Sequence, residues 1–191
     1  MNLIDRLKHW KRKFKFNRQY RRGKWAKLGS DHESVRYQQI DTFFHEFQPK
    51  SILDLGCGDG ILNRRMTYDN YDYFLGVDYA KESIKMAEAQ DFPNAEFKTK
   101  DLLDFTPPQD FDTIILNEAF YYIHDSKKNK VISTIINHLK KDGKLIVSIF
   151  REGKGCWEYF KDHPKLKETN FKIVNSKAGT TFWKVGVYEL A

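Results

Sequence analysis

The stretch "ILDLGCGDGIL", residues 52–62, joins a short apolar run to three closely spaced glycines. The run predicts a buried strand, and the glycines predict a turn into a helix that begins near Ile61. Glycine tolerates positive φ and has no Cβ, so a ligand can lie against the main chain. An ordinary turn would need one glycine and hardly three. Gly56, Gly58 and Gly60 therefore predict a binding loop.

Strand and helix segments alternate along most of the chain. After a helix over 32–47, we predict strands at 51–55, 71–79, 95–102, 111–120 and 143–150, with helices from about 61, over 80–90 and over 125–141. This alternation predicts a parallel sheet with helices on both faces. Two β runs around a turn in 171–190 predict a hairpin. The fold class is therefore α/β, a Rossmann-like doubly wound sheet, mostly parallel with an antiparallel last strand.

The position of the loop and its spacing narrow the choice of ligand. Ligands of open α/β sheets bind beyond the carboxyl ends of the strands. The nicotinamide or flavin fingerprint G-x-G-x-x-G would need glycine at 61, where the chain has Ile61. A phosphate-binding loop would usually carry Lys after the glycines and no carboxylate as close as Asp54. A ligand with a cationic amino-acid end and no phosphate fits better.

With these residues the sequence resembles the class I S-adenosylmethionine-dependent methyltransferases of the small bacterial type, over nearly all of residues 33–191. "LDLGCGDG" is among that family's more specific motifs, and "GVDYAKESI", "KTKDLLDF" and "FDTIILNEAFYYI" match at the expected places. The resemblance implies the class I methyltransferase fold and S-adenosyl-L-methionine as cofactor. It implies that Asp78 holds the ribose hydroxyls and that Asp101 contacts the adenine amine. Alternatively, these two acids only cap a helix and a turn.

The resemblance also gives a set of site residues. Those expected to bind the cofactor are Asp54, Gly56, Cys57, Gly58, Gly60, Asp78, Tyr79, Asp101, Leu102, Asn117 and Arg36. The N-terminal part is expected to supply most of a substrate lid, including Tyr20, Trp25, Arg36 and Tyr37. The two cysteines lack metal-type spacing, so no metal site is predicted.

Candidate catalytic residues follow the fourth predicted strand. A base is needed only if the acceptor carries a proton that must leave. His124 is the predicted base, because its ordinary pKa of about 6.5 suits proton transfer at neutral pH. Glu118 and Tyr121 are the other candidates. Each has a structural alternative: His124 as a helix cap or surface residue, Tyr121 in packing, and Glu118 as support for a loop.

The positive charge is concentrated at the N-terminus. Residues 1–29 carry eleven Lys or Arg and one acid, Asp5, whereas the rest of the chain is mildly acidic. Leu3, Leu7, Trp10 and Phe14 fall on one stripe of a helix. The stripe could dock on the domain, or it could bind an anionic membrane or a lipid-linked substrate. The charge could also bind RNA, but nucleic acid gives less reason for an apolar stripe.

We divide the chain into two parts. Residues 1–29 form the basic segment, as a lid or surface-binding element, and residues 30–191 form a methyltransferase domain.

These observations lead to a predicted function and location. The chain has no apolar run of the roughly 20 residues that a membrane span needs and no secretory h-region, and its two cysteines predict no disulfide framework. We expect a cytoplasmic enzyme, soluble or peripheral to the inner membrane face. It would methylate an oxygen or nitrogen of a small molecule, such as a sugar or a cell-surface glycan precursor.

The segment after the fourth predicted strand bears on the acceptor. "NEAF" lacks the Asn-Pro-Pro-aromatic signature of enzymes for adenine or protein-glutamine amino groups, and "NEAFYYI" resembles nodulation-type N-methyltransferases. The alternatives are an RNA methyltransferase and a non-catalytic, cofactor-binding regulator.

Overall fold

Seven strands form one mixed sheet in the computed structural model, which describes residues 3–191. The strands are β1 (Ser51–Leu55), β2 (Tyr73–Asp78), β3 (Ala95–Thr99), β4 (Phe111–Asn117), β5 (Leu139–Phe150), β6 (Leu166–Asn175) and β7 (Phe182–Leu190). Their order across the sheet is β3-β2-β1-β4-β5-β7-β6. β1 to β5 are parallel, and β7 is antiparallel to both β5 and β6. The predicted fold class is confirmed.

Helices cover both faces of this sheet, as predicted. They are α1 (Leu3–Arg21), α2 (Asp31–Phe47), α3 (Ile61–Arg65), α4 (Lys81–Glu88) and α5 (Asp125–Asn137), with short 3-10 helices at Ala26–Gly29, Phe120–Tyr122 and Gly153–Tyr159. Neighbouring residues of β1 point to opposite faces. Ile52 therefore packs in a cluster with α2, α3 and α4, whereas Leu53 packs in a second cluster with α5.

The predicted helix over 125–141 is too long at its C-terminal end. α5 ends at Asn137, and β5 already begins at Leu139. Leu139 is buried and pairs with Phe111, after which regular pairing resumes with Lys144 beside Thr113. This irregular pairing takes up the intervening residues. Sheet formation therefore overrides the local sequence pattern that extended the predicted helix to residue 141.

The strand order reverses between β1 and β4, because the chain builds β2 and β3 on one side of β1 and β5 on the far side of β4. Such a reversal leaves a crevice beyond the carboxyl ends of the two strands. The glycine loop follows β1 directly, and Asn117 ends β4. Both segments therefore meet at this crevice. Within residues 3–191, no helix has the length and apolar character needed to cross a bilayer.

Candidate active site

A cavity of about 270 Å³ lies at the carboxyl ends of β1, β2 and β4. Ten of the residues predicted to bind a cofactor line it: Asp54, Gly56, Cys57, Gly58, Asp78, Tyr79, Asp101, Leu102, Asn117 and Arg36. Gly60 is the exception, since its backbone lies beside Phe92 and Ala87 at the start of α3. The structure gives Gly60 a place in the packing at the start of α3, and its contact with the cofactor stays a prediction.

The glycine loop has the backbone conformation that its sequence predicts. Gly56 and Gly58 have φ of +89° and +59°, a region that side chains rarely adopt. A Cβ on Gly56 would lie 2.5 Å from the Cβ of Ala119, and one on Gly58 would lie 2.7 Å from the hydroxyl of Tyr20. Only glycine fits here without displacing a neighbour, so the main chain forms a bare wall of the cavity.

Asp54 presents an unsatisfied acceptor to this site. Its side chain is buried, and Oδ1 has no hydrogen-bond partner among residues 3–191. Burial, with a contribution from the charge of Asp78, raises the pKa of Asp54 to about 7, although Arg36 opposes the shift. A buried carboxylate without a donor is costly. A cationic group in the cavity would remove that cost.

Arg36 of α2 presents the complementary group. Its guanidinium donates to Oδ1 of Asn117, to Oε2 of Glu33 at 2.8 Å and to the hydroxyl of Tyr37 at 3.1 Å. Nε is buried and has no partner in the described part of the chain. The cavity therefore holds an unpaired buried acceptor and an unpaired buried donor, which suit a ligand that carries both an ammonium and a carboxylate group.

Asp78, at the end of β2, joins the glycine loop to α4. Its Oδ2 accepts from the backbone N–H of Gly58 at 3.2 Å, and its Oδ1 accepts from that of Ala80 at 2.7 Å. Burial raises the pKa of Asp78 to about 6, against the opposing effect of these hydrogen bonds. The carboxylate thus bonds to the backbone just before α4, as its capping alternative predicted, and Asp78 also lines the cavity; its contact with the ribose stays a prediction.

Helix α1 forms another wall and binds Asp101. His9 Nε2 and Lys13 Nζ each lie 2.7 Å from Oδ2 of Asp101, and the N–H of Leu103 donates to Oδ1. Burial alone would raise the pKa of Asp101, but the hydrogen bonds from Lys13 and His9 outweigh it and lower the pKa. Asp101, the residue predicted to contact adenine, is thus bound in this structure by two side chains of α1.

The same helix adds an aromatic group to the wall. The ring of Phe16 lies 5.1 Å from that of Tyr122, 5.5 Å from Tyr79 and 5.3 Å from Trp25. Tyr20 is buried against the glycine loop. The four residues predicted for a lid, Tyr20, Trp25, Arg36 and Tyr37, all line the cavity.

Of the alternatives for the apolar stripe, docking on the domain does not agree with the structure. Leu3, Leu7, Trp10 and Phe14 are 81%, 51%, 61% and 58% exposed. The face of α1 that packs on the domain is the opposite one, because the contacts available there are the carboxylate of Asp101 and the aromatic rings described above.

The cavity residues that the sequence analysis missed include His9, Phe16, Phe150 and Trp183. The first two share a helical face with Tyr20, since the steps between them are seven and four residues. That spacing could have identified them. Phe150 and Trp183 are paired across β5 and β7, and no local pattern specifies which strands will be neighbours.

Glu118 is the candidate base that the structure encloses most closely in the cavity. Its carboxylate accepts from the hydroxyl of Tyr121 at 2.7 Å and from that of Ser148 at 3.3 Å. Burial raises its pKa to about 7, although Arg36 and the Tyr121 hydrogen bond oppose the shift. Its φ of +60° is unusual for a residue with a side chain and is typical of functional sites. Glu118 and Tyr121 both line the cavity.

His124, the predicted base, is not among the described residues that line the cavity. It is the N-cap of α5, where Nδ1 accepts from the N–H of Ser126 at 3.3 Å. Its Nε2 lies 3.5 Å from Asp5 of α1. The structure thus shows His124 in its alternative role as a helix cap, with its other ring nitrogen beside an acid of α1.

A family model described as "Methyltransferase domain" matches residues 47–185. The chain belongs to this methyltransferase family. The predicted family, class I S-adenosylmethionine-dependent methyltransferases, is thereby confirmed. An uncharacterized methyltransferase of Bacillus pumilus is 28% identical over 133 residues, 64% of this chain and 62% of the relative. The chain spans 51% and 62% of the length of two curated relatives.

Two solved structures have the same fold as this methyltransferase domain. One is the N-methyltransferase NodS of Bradyrhizobium japonicum with S-adenosyl-L-homocysteine, with a TM-score of 0.74, 16% identity, and coverage of 87% of this chain and 91% of NodS. The other is the 1,6-didemethyltoxoflavin-N1-methyltransferase of Burkholderia thailandensis, with a TM-score of 0.77, 14% identity, and coverage of 100% and 91%. At these identities the likeness concerns the fold.

Proposed function

We propose that this methyltransferase domain binds S-adenosylmethionine in the cavity and transfers its methyl group to an oxygen or nitrogen of a small molecule. The observation that carries the proposal is the pair of unsatisfied buried atoms, Oδ1 of Asp54 and Nε of Arg36. The amino-acid end of the cofactor has an ammonium group for the first and a carboxylate for the second. A dinucleotide has no ammonium group that could neutralise the buried carboxylate of Asp54.

The remaining cofactor contacts follow from the strand ends. Asp78 is proposed to accept from the ribose hydroxyls, beside the bare backbone of Gly56 and Gly58. Asp101 is proposed to accept from the adenine amine. An ionised carboxylate accepts about four hydrogen bonds, and His9, Lys13 and the N–H of Leu103 supply three of them. One acceptor position on Oδ1 is therefore left for the cofactor. Cys57, Tyr79, Leu102 and Asn117 complete the proposed cofactor wall.

Glu118 is proposed as the general base. The bound cofactor supplies an activated methyl group, so the protein needs to orient the acceptor, exclude water and remove a proton. A carboxylate with a pKa of about 7 suits removal of a proton from a hydroxyl or ammonium group at neutral pH. Tyr121 and Ser148 orient the carboxylate by donating to its two oxygens.

The acceptor is proposed to be a ring-shaped small molecule, with a sugar or a glycan precursor as one candidate. Aromatic side chains line much of the cavity: Phe16, Trp25, Tyr122, Phe150 and Trp183. Such rings pack against flat or ring-shaped ligands. The segment over residues 1–29 is proposed as the lid of this site, and the domain over 30–191 as its body. We also propose that the protein is cytoplasmic and lies peripheral to the inner membrane face.

Calorimetry with S-adenosylmethionine and S-adenosylhomocysteine tests the cofactor site. We expect Asp54→Asn to weaken S-adenosylmethionine binding at least tenfold, because the amide loses the negative charge opposite the ammonium group. Asp59→Asn is the matched control, since Asp59 lies in the same loop but pairs with Arg64. Equal affinities for wild type and Asp54→Asn, or tight binding of NAD, would contradict the proposal.

Transfer of a labelled methyl group to fractions of a cell extract tests the acceptor. We expect label in the small-molecule fraction, unchanged by prior nuclease treatment. Label that disappears with nuclease would favour the RNA methyltransferase, and tight cofactor binding without any transfer would favour the regulator.

A further inference from the structure

Helix α1 has two faces of different character. Its inner face, with His9, Lys13, Phe16 and Tyr20, contacts the domain at the cavity. Its outer stripe, defined as Leu3, Leu7, Trp10 and Phe14, is exposed over at least half of each side chain. The outer stripe continues to Ile4, which is 64% exposed, and the rings of Trp10 and Phe14 stack at 6.2 Å. The outer stripe is thus a contiguous apolar surface without cover from the domain.

Cations border the outer stripe. Arg6, Lys8, Lys11, Lys15 and Arg18 are all exposed. Within residues 3–191, none of these five forms an ion pair with an acid. The face therefore combines an apolar centre with unneutralised positive charge at its edges, a combination that suits a partner with an apolar interior and an anionic surface.

The outer stripe cannot turn inward without the loss of contacts that the structure shows. Rotation of α1 would break the two contacts to Asp101, the bond from Arg12 to the backbone carbonyl of Tyr122, and the bond from the N–H of Glu82 to Asn17. Since the helix is held by its other face, exposure of the stripe belongs to the docked state. An exposed apolar surface of this kind indicates a binding site.

We propose that the outer stripe of α1 binds the surface of an anionic lipid membrane while the inner face stays on the cavity. The apolar side chains would enter the region between headgroups and acyl chains, and the bordering cations would contact the anionic headgroups. This inference deepens the proposed function, because it places the cavity at a lipid surface and names the acceptor class as a lipid-linked or membrane-borne small molecule.

Two other occupants fit the surface less well. A second copy of this chain would bring the bordering cations of two stripes together, and like charges oppose such a contact. RNA would pair with the cations but would leave the aromatic and aliphatic centre without an apolar environment. Both occupants are outcomes of the experiment below.

Vesicle binding of the full chain tests the proposal without any need for catalysis. The probes are vesicles of phosphatidylcholine with an equal share of phosphatidylglycerol, and vesicles of phosphatidylcholine alone. We expect co-sedimentation with the anionic vesicles, weakened by salt, and much less with the neutral ones. Each basic residue near the surface is worth about 1 kcal/mol, so Lys11→Gln should weaken binding about fivefold.

Tryptophan fluorescence reports which face binds. Trp10 is 61% exposed, whereas Trp157 and Trp183 are buried and Trp25 lines the cavity. We expect a blue shift of emission on addition of anionic vesicles, and loss of that shift with retained binding in Trp10→Phe. Unshifted emission from a vesicle-bound wild type would overturn the assignment of the outer stripe.

A double substitution with a matched control completes the test. Leu7→Ser with Trp10→Ser should weaken vesicle binding at least tenfold. Ile173→Ser, at a residue on β6 that is 57% exposed, should leave it unchanged. Calorimetry with S-adenosylmethionine should give equal affinities for all three proteins, which separates loss of the membrane site from loss of the cofactor site or of the fold.

The inference would be overturned by the absence of binding to anionic vesicles at low salt, by a stripe-dependent dimer of the wild type in analytical ultracentrifugation, or by tight binding of an RNA oligonucleotide that excludes vesicles. Binding of the double variant as tight as that of wild type would do the same.

Discussion

Replacement of Tyr121 by Phe tests whether Glu118 acts as the base. The hydroxyl of Tyr121 donates to Oε2 of Glu118 at 2.7 Å and helps to hold the pKa of that carboxyl down against the effect of burial. A hydrogen bond to a charged group contributes about 1.5–3 kcal/mol. At about 1.4 kcal/mol per pKa unit, its loss should raise the pKa of Glu118 by about one to two units, while the phenyl ring keeps the packing.

The consequence is a shift of the pH profile toward alkaline pH. With a pKa of about 7, close to half of the wild-type Glu118 is ionised at neutral pH. In Tyr121→Phe the ionised fraction should fall to about 10% or less, so kcat near neutral pH should drop by roughly five- to fifty-fold. Activity should recover at pH values above the shifted pKa, because the base itself is intact.

The assay is the initial rate of methyl transfer across the pH range, with saturating cofactor. Saturation matters because the pKa values of Asp54 and Asp78 are also raised, to about 7 and about 6, and both are proposed to act in cofactor binding. Ser148→Ala removes the longer hydrogen bond and should give a smaller shift in the same direction. Glu118→Gln should lower kcat by about 10²-fold or more. An unshifted profile in Tyr121→Phe, or an equal loss at every pH, would refute the assignment of Glu118.

Three further predictions concern other parts of the site. Asp78→Ala removes the proposed acceptor of the ribose hydroxyls at a cost of roughly 1.5–3 kcal/mol, so calorimetry should show at least tenfold weaker S-adenosylmethionine binding; unchanged affinity would exclude that role. His124→Ala should leave kcat within about threefold but lower the stability by about 1 kcal/mol through loss of the α5 cap, and a large loss of turnover at unchanged stability would restore His124 as the base. Because burial raises the folded-state pKa values of Asp54, Asp78 and Glu118 above their unfolded values, their protonated forms favour folding. The cofactor-free protein should therefore lose stability, by up to a few kcal/mol, as the pH rises from 5 to 8 through these folded-state values; urea unfolding should show a smaller loss in Asp54→Asn, and an equal loss in that variant would contradict this prediction.

The cofactor side of the site could be predicted from sequence because its signals are local. Three glycines and an acid within seven residues define a loop conformation, and the structure gives that loop positive φ at each glycine. The ends of β1, β2 and β4 meet at one edge because parallel strands share a direction. Asp54, Asp78 and Asn117 could thus be placed together from the order of the strands alone.

The choice among the catalytic candidates could not be predicted in the same way, because it depends on burial. Histidine is the more usual base by residue type, but the position of His124 at the start of α5 directs it to Ser126 and Asp5. Glu118 acquires a suitable pKa only when the folded chain buries it beside Arg36 and Tyr121. No sequence pattern states which of two neighbouring polar residues will be enclosed.

For helix α1, the sequence likewise could not predict which face docks on the domain. The polar character of the face that docks has a physical consequence. The periodicity identified the apolar stripe, but the face that docks depends on the surface that receives it. Hydrogen bonds exchanged for water contribute only about 0.5–1.5 kcal/mol each, and partly exposed ion pairs such as Lys13 with Asp101 contribute about 0–1 kcal/mol. The polar contacts of α1 therefore set its orientation more than its affinity for the domain, and the buried ring of Tyr20 and the packed ring of Phe16 add the apolar part of the docking energy. Docking by this polar and aromatic face leaves the apolar face, Leu3, Leu7, Trp10 and Phe14, free for a second partner.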